Sequence, residues 1–197
     1  MKRIGLIAII VLLLSCSYVF ASPVYCPSTG HYYEAVSGTY DWSVAKSNAE
    51  GSMYGGVNGY LAVLTSQAEN DWVWLNLGNP SYYWLGGVQD PTGVEPSGGW
   101  GWVTGETWSW ANWNGGEPND SSSFGNIDDN IQFWTNGKWN DINGNSGNSL
   151  YGTGSQAGNT YYQGYIVEYA VPEPATFSLL GLGLAGLIGF RQKRRKT

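Results

Sequence analysis

Cysteine, histidine and positive charge are all scarce in this chain. Cys16 and Cys26 are its two cysteines, and Cys16 lies in an N-terminal segment read below as removed on export. Cys26 then has no intrachain partner, so no disulfide framework holds the fold. Stability has to come from a packed core, with a metal as a further source. His31, the one histidine, reads as a strand residue rather than a catalyst. Between Ser22 and Val171 the only basic residues are Lys46 and Lys138, set against fourteen acids, which leaves this stretch near −12. Such a surface excludes nucleic acid as a partner, because phosphate binding needs a basic face. It favours a cation instead. Internal repeats are absent, and long apolar runs occur only at the two ends.

Aromatic residues are abundant: eleven Trp and fourteen Tyr can each bury a large area while keeping a polar tip satisfied. The stretch 22–171 is of a size for one domain.

At the N-terminus, Lys2 and Arg3 precede an apolar run from Ile4 to Leu14, and Val19-Phe20-Ala21 offers a cleavage point before Ser22. Residues 1–21 read as a secretory signal peptide. The alternatives are an uncleaved anchor, for which the run is short of the about 20 residues a spanning helix needs, and lipoprotein cleavage at Cys16, where Leu14 is unusual. At the C-terminus, Val171-Pro172-Glu173-Pro174 leads into an apolar, Gly-rich stretch from Ala175 to Phe190, and the chain closes with Arg191-Gln192-Lys193-Arg194-Arg195-Lys196. An apolar segment followed by a basic cluster fits a transmembrane helix with a cytoplasmic stop. The order of residues 172–197 resembles the PEP-CTERM sorting signal of Gram-negative bacteria that make extracellular polysaccharide. That resemblance implies recognition by an exosortase-type enzyme, a transient inner-membrane anchor, and delivery to the cell surface or extracellular matrix. A plain C-terminal anchor is the alternative.

Helices are expected first and strands later. His31 to Val36 reads as a strand, and Asp41 to Ala49 as a helix with Trp42, Ala45 and Ala49 on one face, ended by Gly51. Tyr60 to Leu64 is a short buried run. Ser66 with Glu69 three residues on is a capping-box signature that opens a second helix, running to about Leu77 with Val73 and Leu77 inward and Gly78 at its end. Tyr83 to Val88 and Gly99 to Val103 read as strands. Asn112 to Asp129 has no periodicity and reads as a long loop, a feature that in compact domains is usually functional or disordered. Ile131 to Trp134 and Lys138-Trp139 flank Asn136-Gly137, which suggests a hairpin with a type I′ turn. Tyr165 to Tyr169 is a closing strand.

Two short runs carry the chemistry. Glu117-Pro118-Asn119 and Trp139-Asn140-Asp141 supply carboxylate and amide oxygens, which suit a hard cation such as Ca²⁺ with its 6–8 oxygen ligands. A proline between two such side chains can adopt a cis bond at about 0.5–1 kcal/mol, letting both point at one ion.

The region from about Tyr32 to Tyr169 resembles a C-type lectin-like domain. The resemblance rests on Leu61-Ala62-Val63-Leu64-Thr65-Ser66 with Glu69-Asn70, Trp84-Leu85-Gly86-Gly87, Trp113 before Glu117-Pro118-Asn119-Asp120, and Trp139-Asn140-Asp141, in that order. It implies an α+β fold: two helices on small antiparallel sheets, paired terminal strands and a long ligand-binding loop. It also implies a principal calcium held by Glu117, Asn119, Asp128, Asn140 and Asp141, with sugar hydroxyls meeting the same residues. Asp128 stands where the family usually has Glu, one methylene longer, and Asn130 replaces a cysteine. Glu-Pro-Asn resembles the subgroup that takes equatorial 3- and 4-hydroxyls, as in mannose, glucose and N-acetylglucosamine.

An auxiliary metal site would use Asp90, Glu95, Asp120 and Asp129, although Asp90 to Glu95 also reads as a turn. Tyr151, Tyr161 and Tyr162 sit in a Gly/Asn/Ser-rich stretch and either stack on sugar or belong to a loop. The expected function is an exported, calcium-dependent carbohydrate-binding protein, with a calcium-stabilised protein-adhesion domain as the alternative. Neither a general base nor a nucleophile stands out beyond the acids assigned to metal, so a glycosidase with two acids about 5–10 Å apart is not expected.

Overall fold

The computed structural model describes residues 22–120, 128–144 and 163–172. The expected signal peptide, Tyr151, Tyr161, Tyr162, the apolar segment 175–190 and the basic end lie outside them. In chain order the elements are β1 (Val24–Tyr25), β2 (Tyr32–Ser37), α1 (Trp42–Gly51), β3 (Met53–Tyr54), β4 (Val57–Asn58), β5 (Tyr60–Leu61), α2 (Gln67–Asn76), β6 (Tyr83–Gln89), β7 (Trp100–Trp102), β8 (Asn130–Phe133), β9 (Trp139–Ile142) and β10 (Gly164–Tyr169). The fold is α+β, as expected. Among the described residues no helix is long and apolar enough to cross a membrane.

Both helices follow their sequence signals. In α1 the fully buried Ala45 and Ala49 bring the backbone close to the strands, and the Trp42 indole donates to the Leu85 carbonyl at 2.9 Å. In α2 the Ser66 hydroxyl accepts from the Glu69 amide at 3.3 Å, a cap of about 1 kcal/mol. The Glu69 carboxylate reaches back to Thr65 rather than to Ser66, accepting from its amide at 2.8 Å and its hydroxyl at 3.1 Å. Its other oxygen accepts from the Tyr33 hydroxyl at 2.6 Å, so one residue both caps α2 and ties it to β2. Gly78, with φ +79°, ends the helix.

The main sheet runs β1-β2-β10-β6-β8-β9, with β5 also on β10 and β7 also on β6. The terminal strands pair antiparallel from Gly164 opposite Ser37 to Tyr169 opposite Tyr32, as expected. Trp84-Leu85-Gly86-Gly87 forms the middle of β6, and its glycines are dictated by close approach. A Cβ on Gly86 would stand 2.5 Å from the Leu61 carbonyl, and one on Gly87 2.2 Å from Ile131 Cδ1. Two apolar clusters result. One contains Val63, Leu64, Val73, Leu85, Ile131, Phe133 and Trp139; the other packs Ala45 and Ala49 against Leu61, Trp84 and Val167.

The β8–β9 hairpin corrects one expectation. Of Asn136 and Gly137 only Gly137 has positive φ, at +77°, so the turn is not type I′. The Trp134 amide donates to Lys138 O at 2.7 Å, which closes a three-residue loop with glycine in the left-handed position. Gly137 is held there by α2: a Cβ would stand 2.9 Å from the Trp74 ring.

Candidate functional site

Trp139 anchors the site. Fully buried, it is surrounded by Trp110, Trp102, Trp108 and Trp113 at ring-centroid distances of 5.2, 5.6, 5.9 and 5.9 Å. Its indole donates to Asn70 Oδ1 on α2 at 2.8 Å. Such a cage fixes the rotamer, so the residues that follow on β9 inherit a rigid backbone.

The loop carrying Glu117 is tied to β9 twice. At its base, Trp113 forms a parallel bridge with Trp139; the Trp139 amide donates to Asn112 O at 2.9 Å and the Asn114 amide to Trp139 O at 2.8 Å. Asn112 also donates its side-chain amide to Gly137 O at 3.1 Å. Further on, the backbone amides of Asn119 and Asp120 both donate to Asp141 Oδ2, at 2.9 and 2.8 Å. Charge-assisted bonds of this kind are the stronger sort. The two motifs that stand about twenty residues apart in sequence are thereby joined in space.

The expected principal residues are then distributed as follows. Asp141 is buried, with Oδ2 occupied by the loop amides and Oδ1 buried without a well-formed hydrogen bond. Glu117 precedes a cis peptide bond to Pro118, and its Oε2 is likewise buried without a well-formed hydrogen bond. Burial first, then the facing Asp141 carboxyl, and lastly the Asp128 carboxylate push the Glu117 pKa up to about 7. Asn140 is buried and donates to the Asp141 carbonyl at 2.9 Å. Asn119 is exposed. Asp128 is buried, and its amide donates to Asp120 Oδ1 at 3.3 Å. Among the described residues no group of three or more His, Cys, Asp or Glu side chains is arranged to hold a metal by itself. A cation here needs the amide and carbonyl oxygens as well as the acids.

The auxiliary set divides. Asp90 is fully exposed and accepts from the Thr92 amide and hydroxyl at 2.8 and 2.7 Å, bonds that lower its pKa; it serves its own turn. Asp129 is raised by burial and then by Glu95 and Asp120, so those three carboxyls do feel one another. His31, at the start of β2, faces Glu168 and lies apart from the loop.

Sequence reasoning quoted Asn70 only as part of a motif and missed Asn112 and Asn114; the polar groups of the three hold Trp139 and the loop base. The only signal of the latter two was their place on either side of Trp113.

The family described as Lectin C-type domain matches residues 53–150, and the PEP-CTERM protein-sorting motif matches residues 170–195. The chain carries a C-type lectin domain followed by a PEP-CTERM sorting motif. Solved C-type lectin domains share the fold. The lectin CEL-I from Cucumaria echinata aligns with TM-score 0.53 at 19% identity, over 75% of this chain and 99% of that one. An EPNH mutant of CEL-I aligns with TM-score 0.53 at 21% identity, covering 75% and 98%. The mouse scavenger receptor C-type lectin carbohydrate-recognition domain gives 0.51 at 19%, over 70% and 88%. Halomucin of Haloquadratum walsbyi is 35% identical over 156 residues, which is 71% of this chain. The chain spans 1% of the length of that curated relative.

Proposed function

We propose that this C-type lectin domain is a calcium-dependent carbohydrate-binding module, exported and sorted to the surface of a bacterium through its PEP-CTERM tail. The observation that carries the calcium reading is the pair of buried carboxyl oxygens, Glu117 Oε2 and Asp141 Oδ1, that lack well-formed hydrogen bonds. Buried polar atoms of native proteins are normally satisfied, and like charges held together raise proton affinity, as at Glu117. A hard cation relieves both conditions. The donors fit it: carboxylates and amides only, with no thiol and no imidazole among them.

The ion would be held by Glu117, Asn119, Asp128, Asn140 and Asp141. When bound it supplies open coordination positions for two neighbouring sugar hydroxyls, mannose- or glucose-type by the Glu-Pro-Asn order. The chain's own part is to keep Asn140 and Asp141 rigid on β9 and to hold the Glu117 loop against them. Glu95, Asp120 and Asp129 form the core of a second, weaker cation site. The reading is one of binding rather than catalysis. Before processing, the apolar segment 175–190 would sit in the membrane, where an exosortase-type enzyme would act on it.

A second reading has its own observation. Asp141 Oδ2 is already used by the Asn119 and Asp120 amides, so an ion could simply order the loop for protein adhesion. Calorimetric titration of the chelator-stripped chain with Ca²⁺ tests the first step of both. Saturable binding abolished by Asp141→Asn is expected; no heat at millimolar Ca²⁺ from the folded chain would exclude either reading.

A further inference from the structure

Where the chain leaves the domain, its surface is aromatic and apolar rather than charged. Tyr25 on β1 packs on Tyr32 at 5.1 Å, Tyr32 on Tyr54 at 4.9 Å, and Tyr54 on Tyr169 at 5.7 Å. Tyr25 and Tyr169 both pair with Tyr32 across the sheet, so the row crosses β1, β2 and β10 and is closed by the β3–β4 hairpin. Around it Val24, Tyr25 and Met53 are 38, 41 and 70% exposed. Val171, two residues beyond β10, rests on Gly55 in the turn of that hairpin, where a Cβ would stand 2.7 Å from Val171 Cγ1. Nothing in the lectin site uses these residues.

Their position relative to the tail gives them a partner. Only Pro172, Glu173 and Pro174 separate Val171 from the apolar run that begins at Ala175. Three residues span at most about 10 Å. With the apolar run in the membrane, as proposed above and as this inference requires, the tyrosine face is held close to the headgroup layer. Tyrosine is enriched at that interface because its ring is apolar and its hydroxyl is polar. The net negative domain gains nothing from anionic lipid. Of the acids near the row, Glu34 accepts from the Tyr169 hydroxyl at 2.9 Å and Glu50 is paired with Lys46.

We infer that, while the tail is embedded, the face built from Tyr25, Tyr32, Met53 and Tyr54 lies on the surface of a zwitterionic bilayer. The sheet order makes the consequence specific. β1 is one end of the path β1-β2-β10-β6-β8-β9, and β9, which carries Asn140 and Asp141, is the other. Five inter-strand steps of about 4.8 Å separate them, roughly 20–25 Å. Seating the row on lipid therefore leaves the lectin site on strands outside it, since β6, β8 and β9 carry none of these tyrosines.

The chain as exported, Ser22 to Thr197, reconstituted in phosphatidylethanolamine/phosphatidylcholine nanodiscs, allows a direct test, since its one native cysteine, Cys26, is fully buried and escapes labelling in the folded protein. An environment-sensitive fluorophore is placed through Met53→Cys or, as reference, through Thr135→Cys in the exposed β8–β9 turn. A blue shift and loss of emission to spin-labelled lipid at position 53, with neither at 135, is expected. Equal quenching at both positions, or none at 53 in a chain that resists alkaline extraction, would overturn the inference while leaving the membrane-held tail intact. Shielding of position 53 from aqueous quencher that is the same in detergent would overturn it in favour of the tail or a second copy. Release of the chain by alkaline extraction would remove both the inference and the reading it rests on.

Discussion

Glu168 is buried in β10 and accepts from three groups on two separate segments. The Tyr60 hydroxyl and His31 Nδ1 meet its Oε1 at 3.0 and 2.5 Å, and the Val63 amide meets Oε2 at 2.8 Å. Burial pushes its pKa up against the opposing pull of these partners. The His31 pKa is raised above 6.5, chiefly by the hydrogen bond to Glu168, with burial opposing. Because the folded state holds this proton more tightly, the stabilisation is fully present below about pH 6.5 and is lost as pH rises through the higher folded value. A hydrogen bond to a charged group is worth about 1.5–3 kcal/mol. With the imidazole a third exposed, solvent screening reduces this to about 1 kcal/mol. Urea unfolding of the native chain should therefore lose about 1 kcal/mol between pH 6 and 8.5, and His31→Gln should flatten that slope. An unchanged slope in His31→Gln would remove His31 as its source. The buried role of Glu168 was not legible in sequence, where Tyr165–Tyr169 reads only as a closing strand. It is buried because β10 has neighbours on β2, β5 and β6.

Among the elements, β6 shows most directly how sequence sets packing. Its Gly86 amide donates to Ala62 O at 2.8 Å, and the carbonyls of Leu61 and Ala62 lie where a Cβ would go, at 2.5 and 3.2 Å. Backbone cannot yield as a side-chain tip can. Gly86→Ala should cost about 2–3 kcal/mol by overpacking, whereas Gly101→Ala on β7, which meets nothing within 4 Å, should stay within about 0.5 kcal/mol. Chemical denaturation of the two variants decides this; similar losses would mean the close approach is not what requires glycine. The helices were legible because their signals are local: Ala45 and Ala49 one turn apart, and Ser66 three before Glu69. The β8–β9 turn was not, because Asn136-Gly137 serves both hairpin types. The choice was made by tertiary packing of Gly137 on Trp74. The candidate site lies between these cases. Its two motifs could be read directly, but not the use of Asp141 Oδ2 as the acceptor for two loop amides, since backbone donors leave no mark in sequence.

For the whole molecule, the C-type lectin domain presents its candidate site on one end of the sheet path, and the chain exits from β10 three strands away. The acid-rich domain carries only two lysines. One of them, Lys46, pairs with Glu50, and Lys138 Nζ reaches Asn112 at 3.4 Å. On the reading proposed above, a bound cation lies against the Glu117 and Asp141 carboxyls, and its open positions take the sugar hydroxyls. The measurement that tests this most directly is a glycan array probed with the chain in millimolar Ca²⁺ and again in excess chelator. Binding to mannose- or glucose-type ligands that disappears with chelator, and is missing in Glu117→Gln at either condition, is the predicted result. Glycan binding that survives chelation, or none from a folded, calcium-loaded chain, would contradict it.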